Sequence, residues 1–165
     1  MKLKQIAERL NKLIKARFSE QGHHLSGAWE ASMRTEATET NANVYANDYT
    51  GYVDRGVNAA NIPFSPGSGA KHSKYIEALT RYVKARNMTN DDKEALNIAF
   101  AIAHKHKKEG MPTGASRRFS KNGKRTDFLS DVLEEQKDET RRLIMMDYAT
   151  TLQVKINNQI RKQSL

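Results

Sequence analysis

Any chemistry done by this chain would have to come from histidines, carboxylates and hydroxyls, because the 165 residues include no cysteine. Disulfides, thiolate zinc sites and cysteine nucleophiles are thereby excluded. The histidines cluster as His23–His24 and His104–His106. Two residues apart on a helix point in different directions, so His104 and His106 cannot chelate one metal from a regular helix. No HEXXH spacing is present and no cysteine could complete a site. The acid pairs Asp91/Asp92 and Glu134/Glu135 read better as a helix start and a solvated helix face. No serine lies in a GxSxG turn. The glycine-rich piece SPGSGAKHS lacks the GxxxxGK[ST] spacing of a phosphate loop and has no buried strand before it. These patterns point away from an enzyme, and no cofactor or metal is expected.

Charge is the other chemical signal. The net charge is +9, and it is uneven. Lys105, Lys107, Lys108, Arg117, Arg118, Lys121, Lys124 and Arg125 face a single acid, Glu109, so residues 105–125 alone carry +7. Such a window suits a polyanion or an acidic protein surface, or it is simply a solvated loop. Phe119 among these cations gives the aromatic-plus-cation texture of a single-strand nucleic-acid contact. No helix-turn-helix, zinc finger or RNP motif accompanies it, so specific base reading is not expected and non-specific phosphate attraction stays open.

The elements that position these residues follow from periodicity. Hydrophobic residues make up 38% and charged residues 28%, the balance of a somewhat polar globular protein, long enough for one domain with a real core. No apolar run approaches the roughly 20 residues that span a bilayer. The start, MKLKQIAERLNKL, is charged throughout, unlike a secretory signal, so a soluble cytoplasmic product is expected. Residues 2–20 predict a helix with Leu3, Ile6, Ala7, Leu10, Leu13, Ile14 and Phe18 on one face, covering a core or lying on a membrane surface. Trp29, Ala31, Met33, Thr35 and Ala37 alternate with polar residues and predict a strand. TETNAN (residues 38–43) supplies the turn, and Val44, Tyr45, Tyr49, Tyr52 and Val53 predict one or two further strands with a break near Asn47–Thr50.

Residues 56–72 form a loop of seventeen residues with two prolines and three glycines, long for a compact domain. Its apolar pair Ile62 and Phe64 either packs back onto the core or docks on a neighbour. Ser73 caps a helix over about 74–86. Next comes the stretch around which the chain is organised, TNDDKEALNIAFAIAHKHKKEGMPT (residues 89–113). Thr89 and Asp92 form a relative of the capping box. Leu96, Ala99, Phe100 and Ala103, widened by Ile98 and Ile102, make the buried face expected to cover the sheet. Lys105, Lys107 and Lys108 meet the carbonyl end of this helix. Gly110, in a left-handed C′ conformation, and Pro112 stop it. After the basic loop 113–125, Phe128, Leu129, Val132 and Leu133 restart a helix. Residues 134–142 carry no apolar side chain, so the helix projects or bends there. Met145, Ala149, Leu152, Ile156 and Ile160 restore the 3-4 spacing, with Thr150, Thr151 and Val154 leaving a short strand open. The expected class is α+β: an antiparallel hairpin or small sheet packed against an N-terminal helix, two central helices and a long C-terminal helix.

This order of parts resembles the tail-completion proteins of long-tailed bacteriophages, a minor tail, head–tail joining or tail-terminator-like family. The family pattern Y-x-x-x-x-E/D-x-G finds Tyr49, Asp54 and Gly56. The helix end A-x-x-I-A-x-x-I-x-x-x-G-x-P finds Ile98, Ala99 and Ile102, with Gly110 and Pro112 following after seven residues instead of three, and the F-L helix finds Phe128 and Leu129. The resemblance covers nearly the whole chain through short motifs. One departure is the inserted basic loop 113–125, where family members pass quickly to the F-L helix. The resemblance implies a virion structural protein, assembled in the host cytoplasm into a six-fold homo-oligomeric ring at the neck. That ring would cap the tail tube and meet the head connector or stopper proteins by surface complementarity. DNA would cross its lumen without specific recognition, and no membrane partner is implied. The candidate partner or DNA contacts are Ile62, Phe64, Arg117, Arg118, Phe119, Lys121, Lys124 and Arg125. The alternative is a non-specific nucleic-acid-binding protein using residues 105–125.

Overall fold

A computed structural model describes residues 2–67 and 73–163. It is an α+β arrangement of six α-helices and one two-stranded antiparallel sheet among those residues. Helix α1 spans Lys2–Glu20 and α2 Ala28–Ser32; strands β1 and β2 span Arg34–Ala37 and Ala42–Tyr45. Helices α3 to α6 span Thr50–Arg55, Lys74–Ala85, Asp92–Glu109 and Phe128–Gln163. Short 3-10 turns occupy Ala59–Asn61 and Gly114–Phe119. Within 56–72, residues 68–72 lie outside the described residues.

The buried apolar residues form two clusters. In the first, Ile14 and Phe18 of α1 meet Trp29, Met33, Phe128 and Val132. Phe18 stacks on Trp29 at 3.8 Å, and Phe128 presents an edge to both, at 5.2 and 5.4 Å. The sheet lies against α1: Thr35 pairs with Val44 and Ala37 with Ala42 on the half-buried face, while Arg34 and Tyr45 pair on the exposed one. In the second cluster, Ile76 and Leu79 of α4 meet Ala99 and Ala103 of α5. Ala95, Ala99 and Ala103 are fully buried at four-residue spacing. Their small side chains let the two helices approach closely. The α4 and α5 starts are capped as helix physics asks: Ser73 Oγ accepts from the Ile76 amide and Asp91 Oδ1 from the Glu94 amide.

Several expectations need correction. The stretch around Trp29 is helical before it becomes strand, because Trp29 and Met33 are four apart and one helical turn aims both at the same core. Tyr49–Val53 is not strand either. Residues 50–55 form α3, which turns Thr50 and Asp54 to the same buried side. Thr50 Oγ1 there accepts the Trp29 indole N–H at 2.9 Å. The α5 apolar face packs on α4 and the 59–61 turn, and the sheet is covered by α1 instead. Asp91 caps α5, and Thr89 bonds the Glu94 carboxylate at 2.5 Å. From Phe128 the chain is one continuous helix of 36 residues, as the 3-4 spacing predicts, and the strand left open at residues 150–154 does not form.

The two clusters are joined by a pair of glycines. Gly56 and Gly110 have φ of 77° and 80°, with ψ near 180°, rather than the left-handed helical conformation. Between them the Val57 and Met111 amides and carbonyls exchange bonds of 2.7 and 2.8 Å. A Cβ on Gly56 would lie 2.4 Å from the Met111 carbonyl oxygen, and one on Gly110 would lie 2.6 Å from that of Val57. Both positions therefore require glycine, for conformation and for space.

Asp54 fixes the start of α6. Its side chain, 4% exposed, accepts from the Leu129 amide and the Ser130 hydroxyl, each at 2.7 Å, and its carbonyl accepts from the Asp127 amide. A carboxylate at the first turn satisfies orphan donors and favours the helix dipole. Asp54→Ala is expected to lower unfolding free energy by about 1–3 kcal/mol, because two donors at the start of α6 lose their acceptor. Asp54→Asn should cost less, and urea denaturation of the two variants checks the order.

Candidate assembly surface

The root of α6 is held by α1. Arg17 reaches Glu135 at 2.8 Å and Asp131 at 3.7 Å, and Arg9 reaches Gln136 at 3.1 Å and Glu139 at 3.6 Å. These contacts run antiparallel, so α1 runs out near residue 146 of α6, roughly, at 1.5 Å per residue on both helices. Beyond that point α6 continues alone. Every residue from Tyr148 to Lys162 is exposed. Ile144, Met145, Met146, Tyr148, Leu152, Val154 and Ile156 are 37 to 70% exposed. An apolar concavity formed by Leu10, Leu133, Ile144 and Met145, about 320 Å³, leads from the α1–α6 contact onto this arm. A solvated helix ordinarily shows polar residues on its outer face, and large contiguous apolar exposure marks an interaction surface.

The expected contact residues separate in the structure. Ile62 is 2% exposed, so the loop pair packs back rather than docking on a neighbour. Phe64 follows it half-buried, 6.3 Å from Phe100 and 4.9 Å from the His104 ring. Proline and the preceding 3-10 turn fold this segment onto α5, where Lys107 Nζ donates to the Ile62 carbonyl at 3.2 Å. Of the basic window, four cations are engaged by the chain itself. Lys105 pairs with Glu109, Lys107 binds the 60–62 carbonyls, Lys124 pairs with Asp131 at 2.7 Å, and Arg125 donates to the Gln21 carbonyl at 2.7 Å. Lys108, Arg117, Arg118 and Lys121 are exposed, and Arg118 lies over the ring of Phe119, itself 54% exposed, at 4.8 Å.

Much of the loop thus serves to fasten the end of α1. The Lys121 amide donates to the Glu20 carbonyl at 2.9 Å, and the fully buried Gln21 side chain donates to the Thr126 carbonyl at 2.9 Å. Between the two clusters this leaves an open cavity of about 530 Å³, with Tyr52, Tyr75, Tyr82, Met88, Phe119 and Arg125 on its walls. The histidines have local partners here. His106 Nδ1 lies 2.7 Å from the Tyr75 hydroxyl, and burial pushes His106 down and Tyr75 up from their usual ranges. His23 packs between Phe18 and Phe128, 5.0 and 5.7 Å away. Burial first, and then the Arg125 charge, push its imidazole from 6.5 down to about 4.

The arm and the Asp54 bond to α6 escape sequence reasoning for different reasons. The 3-4 spacing from Met145 onward is visible, but it reads the same whether its face meets this chain or another. Asp54 stands out only as a motif position. No family model, curated protein or solved structure matches the chain.

His23 makes folding pH-dependent. Below 6.5 the unfolded imidazole takes up a proton that the folded one refuses until about 4, so stability is full above that window and falls as pH drops through it. The urea midpoint is expected to decline over this range, and His23→Phe should flatten the decline.

Proposed function

We propose that this chain is a structural assembly subunit without catalytic activity. The setting that best accommodates it is the neck of a long-tailed bacteriophage. There it would form a homo-oligomeric ring that caps the tail tube and meets the head connector. One observation carries the reading: the second half of a 36-residue helix leaves its own chain and presents exposed isoleucine, methionine, tyrosine and leucine side chains. Apolar surface of this extent is stabilised by covering it, and a subunit of a larger assembly has its covering supplied by neighbours. The order of elements adds support. The Asp54–Gly56 and Gly110–Pro112 positions that carry the family resemblance meet at the joint between the two apolar clusters.

The nucleic-acid alternative draws on fewer charges than the sequence offers, since half of the basic window is engaged within the chain. The two readings diverge in one set of measurements. Native mass spectrometry and negative-stain microscopy, with and without tail-tube and connector subunits, should give rings or stoichiometric complexes. A chain that stays monomeric and binds neither partner overturns the neck reading. Neutralising Lys108, Arg117, Arg118 and Lys121 should leave that assembly intact. Strong low-salt DNA binding that those substitutions abolish, with no assembly, decides for the alternative.

A further inference from the structure

We infer that the α6 arm pairs two copies of this chain side by side in antiparallel orientation, apolar row against apolar row. Ile144, Tyr148, Leu152 and Ile156 lie at four-residue spacing on adjacent turns, and all four are exposed. Such a row is a continuous ridge, and ridges of this i±4 kind interdigitate in the commonest class of helix contact. Reversed against itself about the level of residue 150, the row is self-complementary. Ile144 of one copy comes beside Ile156 of the other, and Tyr148 beside Leu152.

The occupant is a second copy, antiparallel, because of how charge is distributed along α6. Residues 128–142 hold five acids (Asp131, Glu134, Glu135, Asp138, Glu139) against three bases (Lys137, Arg141, Arg142), which is −2. Residues 143–163 hold one acid, Asp147, against three bases (Lys155, Arg161, Lys162), which is +2. Antiparallel overlap sets the basic end of each helix beside the acidic root of the other, whereas parallel overlap sets like beside like. The α1 side of the root is already occupied by Arg9 and Arg17, which leaves the face continuous with Leu10, Leu133 and Ile144 for the incoming helix. Four main side chains from each copy make a small contact, at or below the ~800 Å² per partner of standard interfaces, so the pairing is sought at high protein concentration. The contact is two-fold and covers one row of the arm, whereas a ring closes head to tail and would use other faces such as that of Met145, Met146 and Val154, so the pairing does not depend on the neck reading.

The absence of native cysteine makes the test direct. Ile144→Cys and Ile156→Cys chains, prepared separately in the full-length protein, are treated with a short bis-maleimide at about 100 µM chain, a concentration that populates weak contacts. Antiparallel pairing gives a covalent dimer when the two are mixed and little when either is alone. Within one chain the two positions lie about 18 Å apart along the helix, beyond the reach of the reagent. Placing Leu152→Glu in both chains should remove the crosslink while circular dichroism stays unchanged, since Leu152 is exposed. Self-crosslinking of each variant alone, no crosslink in the mixture, or a crosslink that survives Leu152→Glu overturns the pairing. Rings whose arms fail to crosslink overturn the pairing alone. Paired arms without rings or neck partners overturn the neck reading alone.

Discussion

The fold depends on one buried carboxylate. Asp54 reaches the first turn of α6 from a short helix more than seventy residues earlier, and it binds there through both side-chain oxygens while its carbonyl binds Asp127. A helix start beside the buried Phe128 leaves first-turn amides without partners in the helix, and here they are satisfied from within the chain. Asp54 does this with a charge of the sign the helix dipole favours. The same short helix carries Thr50, which accepts the Trp29 indole N–H. The aromatic cluster and the direction of α6 are therefore set by two residues one turn apart.

Around this point the chain is organised as two small cores joined by backbone contacts more than by apolar packing. The Val57–Met111 bridge, with its flanking glycines, is one joint. The other is the polar clasp of Gln21, Lys121 and Arg125 around the end of α1. Backbone joints of this type fix position without filling volume, and the tyrosine-lined cavity is the space they leave. Cations that sequence alone would assign to a partner serve as fasteners here. Arg125 is half-buried at the clasp, and Lys107 ties the 59–62 segment to α5.

What could be read in the sequence was local and periodic. Helices near 2–20, 74–86 and 91–109 follow from long 3-4 patterns and, for the second, from Ser73 at its start, and the α+β class follows from the polar turn between two short β-rich runs. The errors lie where an element is shorter than the window that reveals its period. Five residues around Trp29 alternate in polarity and yet form a helical turn, because i and i+4 share parity as well as a face. Six residues from Thr50 look like strand for their Tyr and Val content, and tertiary bonds from Thr50 and Asp54 override that preference. Periodicity also says which face of a helix is apolar but not what meets it. The alanine face of α5 meets α4 rather than the sheet, and the stripe beyond Met145 lies outside both apolar clusters.

The length of α6 turns its anchorage into a matter of aim. From Phe128 the helix extends about 50 Å, so a tilt of about 5° at its root displaces the far end by about 4–5 Å, close to one helical turn. Asp54, at the pivot, and the Arg17 and Arg9 contacts, partway along, act on this lever at two distances, as bearing and stay. Small repacking around Phe128 is thereby magnified at the tip into a change of which residues a neighbour meets. The geometry of any assembly built on this arm is set in the aromatic core, far from the surface where copies touch.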